Sequence, residues 1–166
     1  MTRESIRNIF FYTIILVSQL LIFNHFNLFD IITPSVYLTI FILYKTSYSN
    51  TSLIFLGFIT GLIIDLAMQT YGCHTFATIT ICYLRERIEK YLFGVNANLP
   101  SAMIKGTKMI NRLTFFMLII FIHSSIYYSL VFFNIELIVK IFYYSLINSI
   151  ITFIITWIFT QLISNN

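Results

Sequence analysis

Residues 53–69 read LIFLGFITGLIIDLAMQ, an apolar run interrupted by four regularly spaced residues. Gly57, Gly61, Asp65 and Gln69 recur at every fourth position, so they share one face of a helix. Gly57 and Gly61 form a Gly-x-x-x-Gly pair, which lets a second helix approach closely within a membrane. The stretch therefore predicts a membrane-spanning helix that packs against a neighbour along this face.

The composition of the whole chain predicts an integral membrane protein. Hydrophobic residues make up 58% of the 166 residues and charged residues only 10%, whereas soluble domains are about 25% charged. A spanning helix needs roughly 20 apolar residues, so the chain has room for about five or six crossings. We therefore predict one transmembrane domain over residues 1–166, with no separate soluble domain.

Hydrophobic segments and turn residues divide the chain into six parts. We predict an all-α transmembrane bundle with helices over approximately 6–23, 31–44, 51–68, 74–92, 112–133 and 137–163. The apolar parts of the second and fourth segments are short, and segments of that length can also be re-entrant or interfacial.

Basic residues set the predicted orientation of these helices, because cytoplasmic flanks of membrane helices are enriched in Lys and Arg. With six crossings and both termini in the cytoplasm, only Lys140 of the ten Lys and Arg residues falls outside. Dropping either short helix would move basic residues to the wrong side. The nine residues predicted to be cytoplasmic are Arg3, Arg7, Lys45, Arg85, Arg87, Lys90, Lys105, Lys108 and Arg112.

Six of these residues define a basic cytoplasmic loop predicted over residues 85–112, namely Arg85, Arg87, Lys90, Lys105, Lys108 and Arg112. Anionic lipid and a cytoplasmic protein are both plausible partners. The basic residues lie beside membrane segments and not on an aromatic-interleaved soluble face, so we predict no nucleic-acid binding.

Asp65 is the acidic residue that lies well inside an apolar run. An acid at mid-bilayer costs about 2.5–3.5 kcal/mol on insertion scales, so such residues usually have a role. Asp65 either hydrogen-bonds polar groups of neighbouring helices, with Gln19, His123 and Asn148 as candidates, or binds a cation, a proton or a substrate amine. His123 is likewise either a packing residue or a proton relay.

The chain carries none of the catalytic or phosphate-binding motifs that short sequence patterns reveal. Cys73 and Cys82 have neither Cys-x-x-Cys spacing nor a metal-ligand pattern. We therefore predict no enzyme activity, metal or cofactor. An intramembrane enzyme would have to use Asp65 and His123.

The order of motifs resembles that of the MreD family of rod shape-determining proteins. The matching residues are 57–65 (GFITGLIID), 70–77 (TYGCHTFA) and 83–85 (YLR), together with Gln19, Asn24, residues 34–37 (PSVY), His123 and Glu136. The resemblance covers nearly the whole chain. Glu86 departs from it, because many relatives carry proline there, and this leaves open whether the fourth helix ends at Arg85.

The resemblance implies a scaffold in the inner membrane that supports elongation of the bacterial side wall. Its implied partners are the single-pass protein MreC, and with it MreB, RodA and an elongation transpeptidase. The family fold is similar to the substrate-binding S component of vitamin transporters. The residues expected to pack helices or contact partners are Gly57, Gly61, Asp65, Gln69, Gly72 and His74.

That fold similarity leaves a transporter S component as the alternative function. An S component needs a polar pocket near the outer face of the membrane. Tyr71, His74 and Thr75 are the candidate lining.

Overall fold

The computed structural model describes residues 3–26, 32–44, 49–94 and 107–164, and its regular elements are helices. The long helices are amphipathic only weakly, as expected where one side faces lipid and the other an apolar interior. Their bounds are α1 Arg3–Leu21, α2 Leu38–Ile42, α3 Asn50–Met68, α4 Cys73–Phe93, α5 Met109–Phe132 and α6 Ile138–Ser164.

Within the described residues, three helical stretches are long and apolar enough to cross a membrane: Asn50–Met68, Met109–Phe132 and Ile135–Gln161. They correspond to α3, α5 and α6. Neighbours in sequence also pack as neighbours in space, α3 against α4, α4 against α5 and α5 against α6. The result is a helical bundle whose outer surface is lined with large apolar side chains.

The second predicted segment differs from the expected helix over 31–44. Its helix, α2, has only five residues, Leu38–Ile42, and residues 33–35 before it are irregular. Pro34 explains part of this difference, because proline lacks a backbone N–H and disfavours helix in the residue before it. Every described residue from 32 to 44 is buried. The short helix therefore lies inside the bundle.

The predicted basic loop over 85–112 overlaps helices at both ends, and its first part belongs to the helix predicted over 74–92. Glu86 does not end the fourth helix, because α4 continues to Phe93 and stops at Gly94, whose φ of 92° suits glycine. At the other end, α5 already begins at Met109. Lys105 lies outside the described residues.

Candidate functional site in the bundle interior

Gly57 and Gly61 lie against α4, where they remove the side chains that would keep the two helices apart. A Cβ atom on Gly61 would lie 2.5 Å from Thr75 Cα, and one on Gly57 would lie 2.7 Å from Cys82 Sγ. Gly61 thus faces backbone, whereas Gly57 faces a side chain. The Gly-x-x-x-Gly pair serves an interface within the chain.

Asp65, one turn further along this face, caps the start of α4. Its Oδ1 accepts hydrogen bonds from the Thr70 hydroxyl at 2.5 Å and His74 N–H at 2.9 Å. Its Oδ2 accepts from the N–H of Thr75 at 2.8 Å and from the hydroxyl of the same residue at 2.5 Å. A negative side chain at this position satisfies amides that a helix start leaves unpaired, and it complements the helix dipole.

The turn from α3 to α4 brings Asp65 into this position. Gln69 and Tyr71 have φ values of 56° and 51°, and Gly72 has a φ of 92°. A left-handed conformation costs conformational energy in a non-glycine residue, so contacts with the surrounding structure must stabilise Gln69 and Tyr71. Gln69 is exposed and lies just after α3 as its left-handed C-cap residue.

The polar partners predicted for Asp65 are wrong, because each of them bonds elsewhere. Gln19 donates to Pro34 O at 3.0 Å and accepts from Tyr37 N–H at 3.1 Å. Asn148 donates to Ser124 Oγ at 3.2 Å. His123 contacts the hydroxyl of Tyr37.

Tyr37 forms the centre of a buried polar cluster that joins α4 and α5 to the segment before α2. Its hydroxyl lies 2.7 Å from His123 Nε2, 3.1 Å from Thr78 Oγ1 and 3.2 Å from His74 Nδ1. The ring of His74 also stacks on Tyr127, with 4.3 Å between centroids. We call Tyr37, His74, Thr78 and His123 the Tyr37 cluster.

A tyrosine hydroxyl has one proton to donate, which limits how the Tyr37 cluster can be arranged. The contact with His123 Nε2 is the shortest, so we assign Tyr37 as its donor. The hydroxyl oxygen then accepts from Thr78 and from the Nδ1–H of His74. This arrangement makes His123 a neutral imidazole with its proton on Nδ1.

Arg85 is buried at 2% exposure and lies in α4, not in a loop. Its Nε donates to Phe41 O at 2.8 Å and its Nη2 to Tyr44 O at 2.7 Å. Its Nη1 pairs with the buried carboxylate of Glu89 at 2.8 Å. Arg85 therefore ties the end of α2 to α4.

Three distant side chains together satisfy the irregular backbone around α2. Gln19 hydrogen-bonds the backbone of Pro34 and Tyr37. The hydroxyl of Thr152 accepts from Ser35 N–H at 3.1 Å. Arg85 donates to the carbonyls at the carboxyl end of α2. Non-helical backbone at membrane depth is tolerated only where the protein itself satisfies it. These polar residues are thus requirements of the fold.

The other described residues of the predicted basic loop lie near the same end of the bundle as Arg85. Arg87 and Lys90 are exposed on α4, and Lys108 is exposed just before α5. Arg112 lies in α5 with its guanidinium 5.0 Å from the centroid of the Trp157 ring.

The burial of Arg85 and Glu89 could have been predicted from the residue spacing in α4. His74, Thr78, Ile81, Arg85 and Glu89 follow a helical spacing of three or four residues and form its buried face. Tyr37 had no comparable signal, because its contacts come from residues 37 to 86 positions away. In the described part of the chain, no group of three or more His, Cys, Asp and Glu side chains could hold a metal ion.

Comparison with known protein families gives one result that covers nearly the whole chain. Residues 4–165 match the family described as "MreD: rod shape-determining protein MreD". No curated protein and no solved structure gives a significant match. The chain therefore belongs to the MreD family, whose members have a role in determining rod shape.

Proposed function

We propose that this protein is a non-catalytic scaffold of the bacterial cell-elongation machinery, located in the inner membrane. It binds an MreC-type single-pass protein and through it connects the MreB cytoskeleton with peptidoglycan synthesis by RodA and a transpeptidase. The observation that carries this proposal is the family match over residues 4–165.

The use of the buried charges supports a structural role. Asp65 has four donors from the α3–α4 turn, and Arg85 has three acceptors from α2 and α4. A residue that binds an ion or a substrate would keep some of its hydrogen-bonding capacity for that ligand. Both of these side chains are instead occupied in holding helices together.

We further propose that the chain crosses the membrane six times with both termini in the cytoplasm, and that residues 32–44 form the second crossing. Residues 32–35, at up to about 3.3 Å each, followed by the turn and helix from Val36 to Leu43 at about 1.5 Å per residue, give about 25 Å. This length approaches the roughly 30 Å of the hydrocarbon core. The segment begins beside Gln19, near the end of α1, and ends beside Arg85, which lies 12 residues into α4.

The alternative, a transporter S component, is less well supported. A groove of about 650 Å³ opens beside Tyr71, between the α3–α4 turn and α5. His74 and Thr75, the other two expected lining residues, instead contribute to the Tyr37 cluster and to the Asp65 cap. The groove is lined mainly by apolar side chains, including Phe76, Leu130 and Val131.

The test is a pull-down of the tagged protein from native membranes in mild detergent, with the recovered proteins identified by mass spectrometry. We expect recovery of a single-pass coiled-coil protein together with cell-wall synthases. Recovery of paired ATPases with a coupling membrane subunit would contradict the scaffold and support the transporter.

Gly61→Leu is the variant for this experiment, because its side chain would meet the backbone of Thr75. We expect lower membrane abundance and lower partner recovery. Leu62→Ala is the matched control, since Leu62 is the next residue and is exposed. Normal abundance and recovery for Gly61→Leu would contradict the proposed packing role.

Reporter fusions at Ala97 and Asn134 test the topology. The proposal requires a cytoplasmic reporter at Ala97 and an extracytoplasmic one at Asn134. The same location for both reporters would contradict it, since the single helix α5 would then not separate them.

A further inference from the structure

We propose that Arg87, with the flanking Tyr83 and Tyr91, binds the phosphate of an anionic phospholipid near the carboxyl end of α4. These three residues recur at every fourth position and are all exposed, so they form one stripe, the Arg87 face. The proposal rests on the membrane location of the chain and not on its protein partners.

The charges on α4 are divided between two sides of the helix. On the buried side, Arg85 is neutralised by Glu89. On the exposed side, Glu86 pairs with Lys90 and also accepts a hydrogen bond from Asn50. Arg87 interacts with Glu86 only electrostatically, and among the described residues no carboxylate forms a salt bridge with it, so the Arg87 face keeps a positive charge.

Tyr83 fixes the position of the Arg87 guanidinium. Arg87 Nη2 donates to the Tyr83 hydroxyl at 2.8 Å, and the guanidinium carbon lies 4.9 Å from the centroid of the Tyr83 ring. Only part of the guanidinium is used by this contact, because arginine has five N–H donors. The remaining donors can form the paired hydrogen bonds that arginine makes with phosphate.

The level of Arg87 along the helix selects a lipid as the source of the phosphate. Before Arg87, the exposed surface of α4 carries Phe76 and Tyr83. Tyrosine concentrates at the membrane–water boundary. The tyrosines on both sides of Arg87 therefore place the Arg87 face at that boundary, where an anionic leaflet attracts basic side chains.

The test compares thermal unfolding of the full chain in phosphatidylcholine nanodiscs with and without phosphatidylglycerol. We expect phosphatidylglycerol to raise the unfolding midpoint of the wild type by a few degrees. Arg87→Gln should lose most of this rise. Arg87→Lys should keep part of it, because lysine retains the positive charge but lacks the paired N–H donors of the guanidinium. Both leaflets of a nanodisc have the same lipids, so the result does not depend on topology.

Lys140→Gln is the matched control, because Lys140 is an exposed cation that also lies over an aromatic ring, 5.7 Å from the centroid of Phe132. It should keep the full rise. The proposal is overturned if the wild type shows no rise, if Arg87→Gln keeps all of it, or if Lys140→Gln loses as much. An equal rise from inorganic phosphate in pure phosphatidylcholine would overturn the choice of a lipid. No partner protein is present, so failure here is separate from failure of the scaffold proposal.

Discussion

Asp65, on α3 beside the start of α4, and Arg85, on α4, are two buried charges that are stabilised in different ways. The donors to Asp65 come from residues five to ten positions away in one hairpin. The carbonyls bound by Arg85 belong to residues 41 and 44 positions earlier in the chain. The first charge closes a local turn, and the second joins two separate elements.

This difference teaches why a buried charge in a membrane protein need not mark a ligand site. Backbone groups at the ends of a helix have no partner within that helix. Asp65 supplies an acceptor for such N–H groups, and Arg85 supplies a donor for such carbonyls. Their loss should therefore affect stability first. The long-range contact should be the more costly of the two to break.

The largest effect is expected for Arg85→Met. It removes the Arg85 side of the buried ion pair with Glu89, and the hydrogen bonds from Arg85 to Phe41 O and Tyr44 O are lost. Breaking a buried ion pair from one side costs about 3–5 kcal/mol, so unfolding in mild detergent should occur at a much lower temperature. Arg87→Met is the control, because Arg87 is exposed two residues away.

The double variant Arg85→Met, Glu89→Leu sharpens this prediction. It removes both charges, so we expect it to be more stable than Arg85→Met alone while the two carbonyls still lack their donors. A double variant less stable than the single one would contradict the account of Arg85.

For Asp65→Asn we expect a loss of about 2 kcal/mol in the free energy of unfolding, since an amide nitrogen cannot accept a hydrogen bond and one helix amide remains unpaired. The substitution therefore removes part of the cap as well as the charge. Thr70→Ala is the comparison, because it deletes one donor and leaves the carboxylate intact. An unchanged unfolding midpoint for Asp65→Asn would contradict the capping role.

Gly61→Ala should cost about 1–3 kcal/mol and more than Gly57→Ala, because overpacking is worst where the neighbour cannot move. The Cβ at 61 would meet the Thr75 backbone, whereas the one at 57 would meet the movable Cys82 thiol. Cys82→Ala should restore stability to Gly57→Ala, as measured by thermal unfolding. Failure of that rescue, or equal losses for the two alanine variants, would be the contrary result.

The smallest effect is expected for Tyr37→Phe, which removes the hydroxyl between the two charged sites. It leaves His123 Nε2 without its donor, at a cost of about 1–2 kcal/mol for a buried unpaired group. Tyr71→Phe is the control, since Tyr71 is exposed. Equal unfolding midpoints for the two variants would argue against the Tyr37 cluster.

The packing face of the α3–α4 hairpin could be predicted from the sequence because it depends on residues close together in the chain. A spacing of four residues puts Gly57, Gly61 and Asp65 on one face of any helix. The partners of Asp65 were predicted wrongly because three of its hydrogen bonds depend on the left-handed turn at 69–72, which sets the start of α4.

Residues 32–44 were less accessible because their conformation depends on distant side chains. Apolar content predicts helix there, whereas Gln19, Thr152 and Arg85 stabilise an irregular entry and a short helix. Arg85 was counted among the cytoplasmic charges by a rule that describes exposed flanks, and that count does not reveal a buried pair with Glu89.

The most direct measurement of the central claim is partner recovery per folded molecule for Asp65→Asn and Arg85→Met in the pull-down from membranes. Folded protein is quantified by size-exclusion chromatography before the partners are counted. If the buried charges only hold the bundle together, total recovery falls while recovery per folded molecule equals that of the wild type. Normal amounts of folded protein with lost partners would contradict the claim and assign these charges a direct functional role.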